Sequence, residues 1–119
     1  MRKSVLREKS FLFSLRIIKL YKWLCEKQNE YVLSKQVLRS GTAIGALLAE
    51  AKYAQTSKDF IHKLSISLKE ANETIYWLEL LYKSNHISKE MYQSIHNDNT
   101  ELLKLLISSI NTKRSKNEK

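Results

Sequence analysis

A chain of 119 residues with 43% apolar content and one cysteine has the size of a single modest domain, and cannot form an internal disulfide or a cysteine-based zinc site. With no proline and only two glycines it lacks the turn residues of a β-sandwich, and all-α is the expected class. The net charge of +9 points toward polyanionic partners such as nucleic acid or anionic lipid, although a lysine-rich solvated surface gives the same count.

The N-terminus begins like the basic region of a signal peptide. Arg16, Lys19 and Lys22 interrupt the apolar run behind it, and no small-residue cleavage site follows. No run approaches the roughly 20 apolar residues of a membrane span. A reducing, cytoplasmic setting without membrane insertion is expected.

Helix 1 is predicted over 4–28. Leu6, Phe11, Phe13, Ile17, Ile18, Leu20, Tyr21, Leu24 and Cys25 fall on one half of its wheel, while Val5, Leu12 and Trp23 interrupt the charged half. Cys25 is expected to be a buried small hydrophobe. Helix 2 is predicted over 34–54, with Ser34 as its N-cap and Val37, Leu38, Ile44, Leu47, Leu48 and Ala51 as its apolar face. Gly41, Gly45 and Ala49 sit four apart in it, with Thr42 and Ala46 on the next row. A helical glycine costs about 0.5–1 kcal/mol relative to alanine, so this stripe predicts close approach by another helix backbone.

Helix 3 is predicted over 58–84, with Ser57 as N-cap and Asp59 in the first turn. Phe60, Leu64, Leu68, Ala71, Ile75, Leu78 and Tyr82 recur at spacings of three or four, and Ile66, Trp77 and Leu80 lie off that stripe. Asn85 fits a left-handed stop, with Ile87 as its apolar contact. Ser88 opens helix 4, predicted over 89–112, and 113–119 reads as a frayed basic tail. Short connections then give one domain: an antiparallel, up-down-up-down four-helix bundle. The off-stripe residues Leu12, Trp23, Ile66 and Trp77 predict a subunit interface in a homo-oligomer; the alternative places them at bundle edges under lysine side chains.

Signals for catalysis are weak. A di-iron bundle needs Glu-x-x-His motifs, and the nearest match is Asp59-Phe-Ile-His62. His62, His86 and His96 are read as structural or surface residues, with no metal and no cofactor expected. Glu70 and Glu73 read as solvated partners of nearby lysines. Glu79, beside the core stripe, is expected to pair with a neighbouring helix. No phosphate loop or nucleophile elbow is present, and no enzymatic activity is expected.

The basic residues remain. Arg2, Lys3, Arg7 and Lys9 crowd one terminus; Lys113, Arg114, Lys116 and Lys119 crowd the other. In an up-down bundle of four helices both termini emerge at one end, so these eight charges share a pole suited to phosphate contact without base readout. Solvated, fraying termini give the same pattern.

The segment Gln36-Val-Leu-Arg-Ser-Gly-Thr-Ala-Ile-Gly-Ala-Leu-Leu-Ala-Glu-Ala51, followed by Ala54-Gln-Thr-Ser-Lys-Asp-Phe60 and Lys63-Leu-Ser-Ile-Ser-Leu-Lys-Glu-Ala-Asn-Glu73, resembles the bacterial 23S rRNA intervening-sequence proteins, also called the S23 ribosomal protein family. The junction Leu81-Tyr-Lys-Ser-Asn-His-Ile-Ser is similar to that family as well. The resemblance implies a cytoplasmic bundle assembling as a homopentamer. It extends to accessory proteins of diversity-generating retroelements, which bind a reverse transcriptase and nucleic acid. Arg39, Glu50, Ser57, Asp59 and Phe60 match the shared signature and are read as capping and inter-helix pairing residues. Leu47 departs from it, standing where the family often has asparagine. The expected function is therefore a non-enzymatic oligomer binding structured RNA through its basic pole, the alternative being a protein-interaction scaffold.

Overall fold

The computed structural model describes residues 4–117, which form four helices: α1 (Val5–Gln28), α2 (Leu33–Ala51), α3 (Ser57–Lys83) and α4 (Lys89–Asn117). They build an elongated bundle of 52 × 23 × 21 Å. Consecutive helices pack along their lengths, whereas α1 and α4 meet only sparsely. The all-α four-helix architecture is the one the 3.6-residue periodicity predicts.

Each helix buries one stripe. Ile17, Leu24, Ile44, Leu64, Leu78, Leu102 and Leu106 are fully enclosed, and burial of this kind is worth roughly 1.5–3 kcal/mol per large side chain. The small residues of α2 do bring α1 close: Gly41 faces Ile17, and Gly45 faces Ser10 and Ser14. Ala49 departs from the expectation. It is exposed, on the border of an open groove between the two helices. Hydroxyls tighten the α2–α3 contact, where Ser67 Oγ donates to the Ile44 carbonyl (3.0 Å) and Thr74 Oγ1 to Ser40 Oγ (2.9 Å).

The ends of the helices explain the connections. Ser4 Oγ caps α1 by accepting from the Arg7 amide (3.2 Å), and Asn29 stops it with φ of 51°. Ser34 is not the cap of α2. It is buried inside the first turn, and the Glu30 carboxylate takes the cap role, accepting from the amides of Val32 (3.1 Å), Leu33 (3.0 Å) and Ser34 (2.6 Å). Thr56, one residue before the expected Ser57, caps α3 by accepting from the Asp59 amide (3.0 Å). Asn85 adopts φ of 66°; the His86 and Ile87 amides return to the Leu81 carbonyl, and Ile87 is buried, as its spacing predicts. Ser88 Oγ accepts from the Met91 amide (3.1 Å).

Two boundaries differ from the sequence reading. Helix α2 stops at Ala51 rather than 54. Helix α4 runs on to Asn117, so residues 113–117 extend a helix and are not a frayed tail.

The sparse α1–α4 seam is tied by charge. The Arg16 guanidinium donates to Asp98 Oδ2 (2.7 Å), the Ser94 carbonyl (3.3 Å) and Ser94 Oγ (2.6 Å). On the other side of the bundle Arg39 bridges from α2 to Glu70 and Glu73 of α3, and Glu73 also accepts from Trp77 Nε1 (2.8 Å). Glu70 and Glu73 are thus cross-helix partners of Arg39, not solvated partners of lysines. Glu79 is exposed, and among the described residues it joins no ion pair.

Candidate nucleic-acid interface

The start of α1, the end of α2, the start of α3 and the late part of α4 converge at one pole. Ser4, Leu6, Arg7, Leu48, Ala51, Lys52, Phe60, Leu64 and Ser109 line a common cleft of about 260 Å³ there. Lys113 belongs to the same end, its Nζ standing 5.4 Å from the Phe60 ring centroid. The convergence follows from the even number of antiparallel helices: the first and last ends, and the α2–α3 turn, must lie together.

Arg7, Lys113, Arg114 and Lys116 come to this end as their positions predict. Arg114 and Lys116 are exposed on the last turn of α4, while Arg7 and Lys113 are half-buried against it. Among the described residues none of the four pairs with a carboxylate. Lys9 is different, because its Nζ lies 3.0 Å from Glu101 Oε2 and its charge is answered across the α1–α4 seam. Arg2, Lys3 and Lys119 lie outside the described residues.

Two cations absent from the sequence reading join the cluster. Lys52 and Lys58, both exposed, flank the α2–α3 turn. The signal was available, since that turn shares the pole with both termini in any up-down four-helix topology. Nearby Lys63 is neutralised by Glu50 (3.0 Å), whose hydrogen bond and charge raise the Lys63 pKa above its ordinary value. Glu8 and Asp59 are the local acids. The result is a cationic end of four lysines and two arginines able to hold phosphates.

A second surface runs along α1. Leu12 is 58% exposed, as its off-stripe position predicts. Phe11 is not on the buried face: it is 65% exposed, and with Val5 and Leu15 extends the apolar strip. Beside it Arg7, Ser10, Phe11, Ser14, Gly45, Ala46 and Ala49 border a shallow groove of about 370 Å³ between α1 and α2. Trp23 and Trp77 lie elsewhere, half-buried against the core, and Ile66 is half-buried too. The rotation of α1 decides this: it buries Leu6, Ser10, Phe13, Ile17, Leu20 and Leu24 and turns Phe11 outward.

The remaining reactive side chains are dispersed. Cys25 is half-buried, not enclosed, with Sγ 3.9 Å from Ser34 Oγ. His86 Nδ1 lies 2.8 Å from Ser84 Oγ, and His96 stacks obliquely on Tyr92 at 5.3 Å. Among the described residues no group of three or more His, Cys, Asp or Glu side chains is placed to hold a metal ion. No helix is long and apolar enough to cross a membrane.

These features define an all-α, up-down four-helix bundle with one cationic end and an apolar outer helix. The chain belongs to the 23S rRNA-intervening sequence protein family, whose model matches residues 2–108. It is 58% identical to a protein of unknown function from the S23 ribosomal protein family of Bacteroides thetaiotaomicron. That crystal structure superposes with a TM-score of 0.89 over 90% of this chain and 96% of the other. No curated protein matches.

Proposed function

We propose that this chain is a non-enzymatic bacterial protein of the cytoplasm that assembles into a homo-oligomer and binds structured RNA at its cationic pole. The observation that carries the reading is the gathering of Arg7, Lys52, Lys58, Lys113, Arg114 and Lys116 at one end from four separate elements, with none of the six in an ion pair among the described residues. Charges left unanswered at a rigid end attract polyanions and release condensed counterions on binding. The family's description as a 23S rRNA-intervening sequence protein supports RNA as the polyanion.

The exposed strip of Val5, Phe11, Leu12 and Leu15 supports self-association, since contiguous apolar patches on small proteins mark contact surfaces. A closed ring repeats the cationic pole around its axis, which multiplies phosphate contacts without new chemistry. Five subunits are the number the family resemblance implies.

Light scattering with and without a structured RNA, at two salt concentrations, tests the reading. The expected outcome is a mass near five times the 14.0 kDa chain that rises with RNA at low salt. Replacing Lys113, Arg114 and Lys116 together by alanine should then flatten the slope of log affinity against log salt by about 2, at roughly 0.7–0.9 per lost phosphate contact. A monomer that ignores RNA at both salts overturns the proposal.

A further inference from the structure

Tyr53 is the most exposed large apolar side chain among the described residues, at 77%. It projects from the α2–α3 turn, directly at the cationic pole. The turn is braced, with the Tyr53 amide donating to the Glu50 carbonyl (3.0 Å) and the Ala54 amide to the Ala51 carbonyl (3.1 Å). Ala51 itself is locked in the core. Lys52 Nζ stands 5.5 Å from the Tyr53 ring centroid, and Lys58 lies in the first turn of the helix on the other side of the turn.

At the opposite end of the bundle Tyr31 is also exposed, but its hydroxyl donates to Asn29 Oδ1 (3.2 Å) and its neighbour is the Glu30 carboxylate. Tyr53 makes no such internal bond among the described residues, and its charged neighbour is the Lys52 ammonium. An aromatic face held among cations is the arrangement that receives a nucleobase: the base stacks on the ring while its phosphates meet the lysines. A-form duplex offers no such face away from its ends, because its bases are already stacked and paired.

We propose that the pole selects RNA bearing unpaired nucleotides, with Tyr53 as the stacking platform for an extruded base and Lys52 and Lys58 holding the flanking phosphates. This rests on the RNA-binding reading above and narrows its substrate class from structured RNA in general to its loops and bulges.

The test compares the affinity of the full chain for an RNA hairpin with an unpaired loop and for a blunt RNA duplex of equal length, at one salt concentration. Wild type, Tyr53→Ala and Tyr53→Phe are measured, and the mass of each free protein is recorded. Wild type should favour the hairpin by roughly tenfold, the scale of one stacked base. Tyr53→Ala should lose that preference and keep the duplex affinity, and Tyr53→Phe should retain it. Equal wild-type binding of hairpin and duplex, or an undiminished preference in Tyr53→Ala, overturns the inference and leaves RNA binding standing. A changed mass for Tyr53→Ala also overturns it, because Tyr53 is then a subunit contact. No binding of either RNA overturns both readings.

Discussion

Gly41 of α2 lies so close to Ile17 of α1 that a Cβ at position 41 would stand 2.8 Å from Ile17 Cγ1 and 3.0 Å from its Cγ2. Ile17 is fully buried and β-branched, so it has no low-energy rotamer into which to retreat. Gly41→Ala should therefore destabilise the fold by about 1–2 kcal/mol, overpacking outweighing the gain in helix propensity of up to about 1 kcal/mol. At Gly45 the nearest atoms are Ser10 O, Ser10 Oγ and Ser14 Oγ, all at 3.3 Å, beside an open groove. Gly45→Ala should be within about 0.5 kcal/mol of neutral, because the propensity gain offsets a slight crowding. Urea denaturation of the two variants measures the difference.

The Glu30 carboxyl ties the first turn of α2 to the end of α1. Burial pushes its pKa up, but hydrogen bonds from the Leu33, Ser34 and Val32 amides and the charge of His86 outweigh that and hold it below the ordinary value. A carboxyl lowered in this way adds stability that is present above about pH 4.3 and lost as the pH falls through the lower folded-state value. Glu30→Gln should cost about 1 kcal/mol at pH 7, the usual worth of a helix cap. The gap to wild type should close as both are titrated toward pH 3, followed by circular dichroism under denaturant.

Asn99 is fully buried on the core stripe of α4, one turn after Ile95. Its Nδ2 donates to the Ala71 carbonyl (3.1 Å), and among the described residues its Oδ1 meets no partner. Asn99→Asp would place a carboxylate there with no cation to meet it. A loss of about 2–4 kcal/mol at pH 7 is expected. Burial raises the folded-state pKa of such a group, so the deficit should shrink as the pH falls toward about 4 and the carboxyl takes up its proton in both states. Thermal melts at pH 7 and pH 4.5 check both the size and the sign.

The proposed assembly through the apolar strip on α1 can be tested separately from folding. Phe11→Ser with Leu12→Ser removes two exposed side chains, so the melting temperature of the subunit fold should barely move while the solution mass falls. Trp23→Ala should do the reverse, costing about 1–3 kcal/mol of stability through lost core contact, with the subunit number retained. Sedimentation of the two variants alongside their melts distinguishes the surfaces.

The number of helices, their approximate bounds and the left-handed stop at Asn85 were legible in the chain itself. Each depends on neighbours three or four residues away, and burying one stripe of a helix is a local demand on spacing. The close approach at Gly41 was legible for the same reason, since an unnecessary glycine in a helix is a cost that only packing offsets. Capping was harder to read. Glu30, Ser34, Thr56 and Ser57 all carry oxygens near a helix start, and the backbone path alone decides which one meets the open amides. Asn99 sits four residues after Ile95 and three before Leu102, on the helical stripe, but its polar side chain hides it from any reading that seeks apolar stripes.

Sequence by itself determined an all-α chain of four amphipathic helices with cations at both termini. Tertiary structure decided the rest: that Phe11 faces outward, that Lys9 is consumed by Glu101, and that Arg7 and Lys52 line one cleft with Phe60, whose ring Lys113 approaches. The reason is physical. Helical periodicity fixes which residues share a face, whereas the rotation of each helix, and the company its surface keeps, emerge only when the four helices settle on a common core.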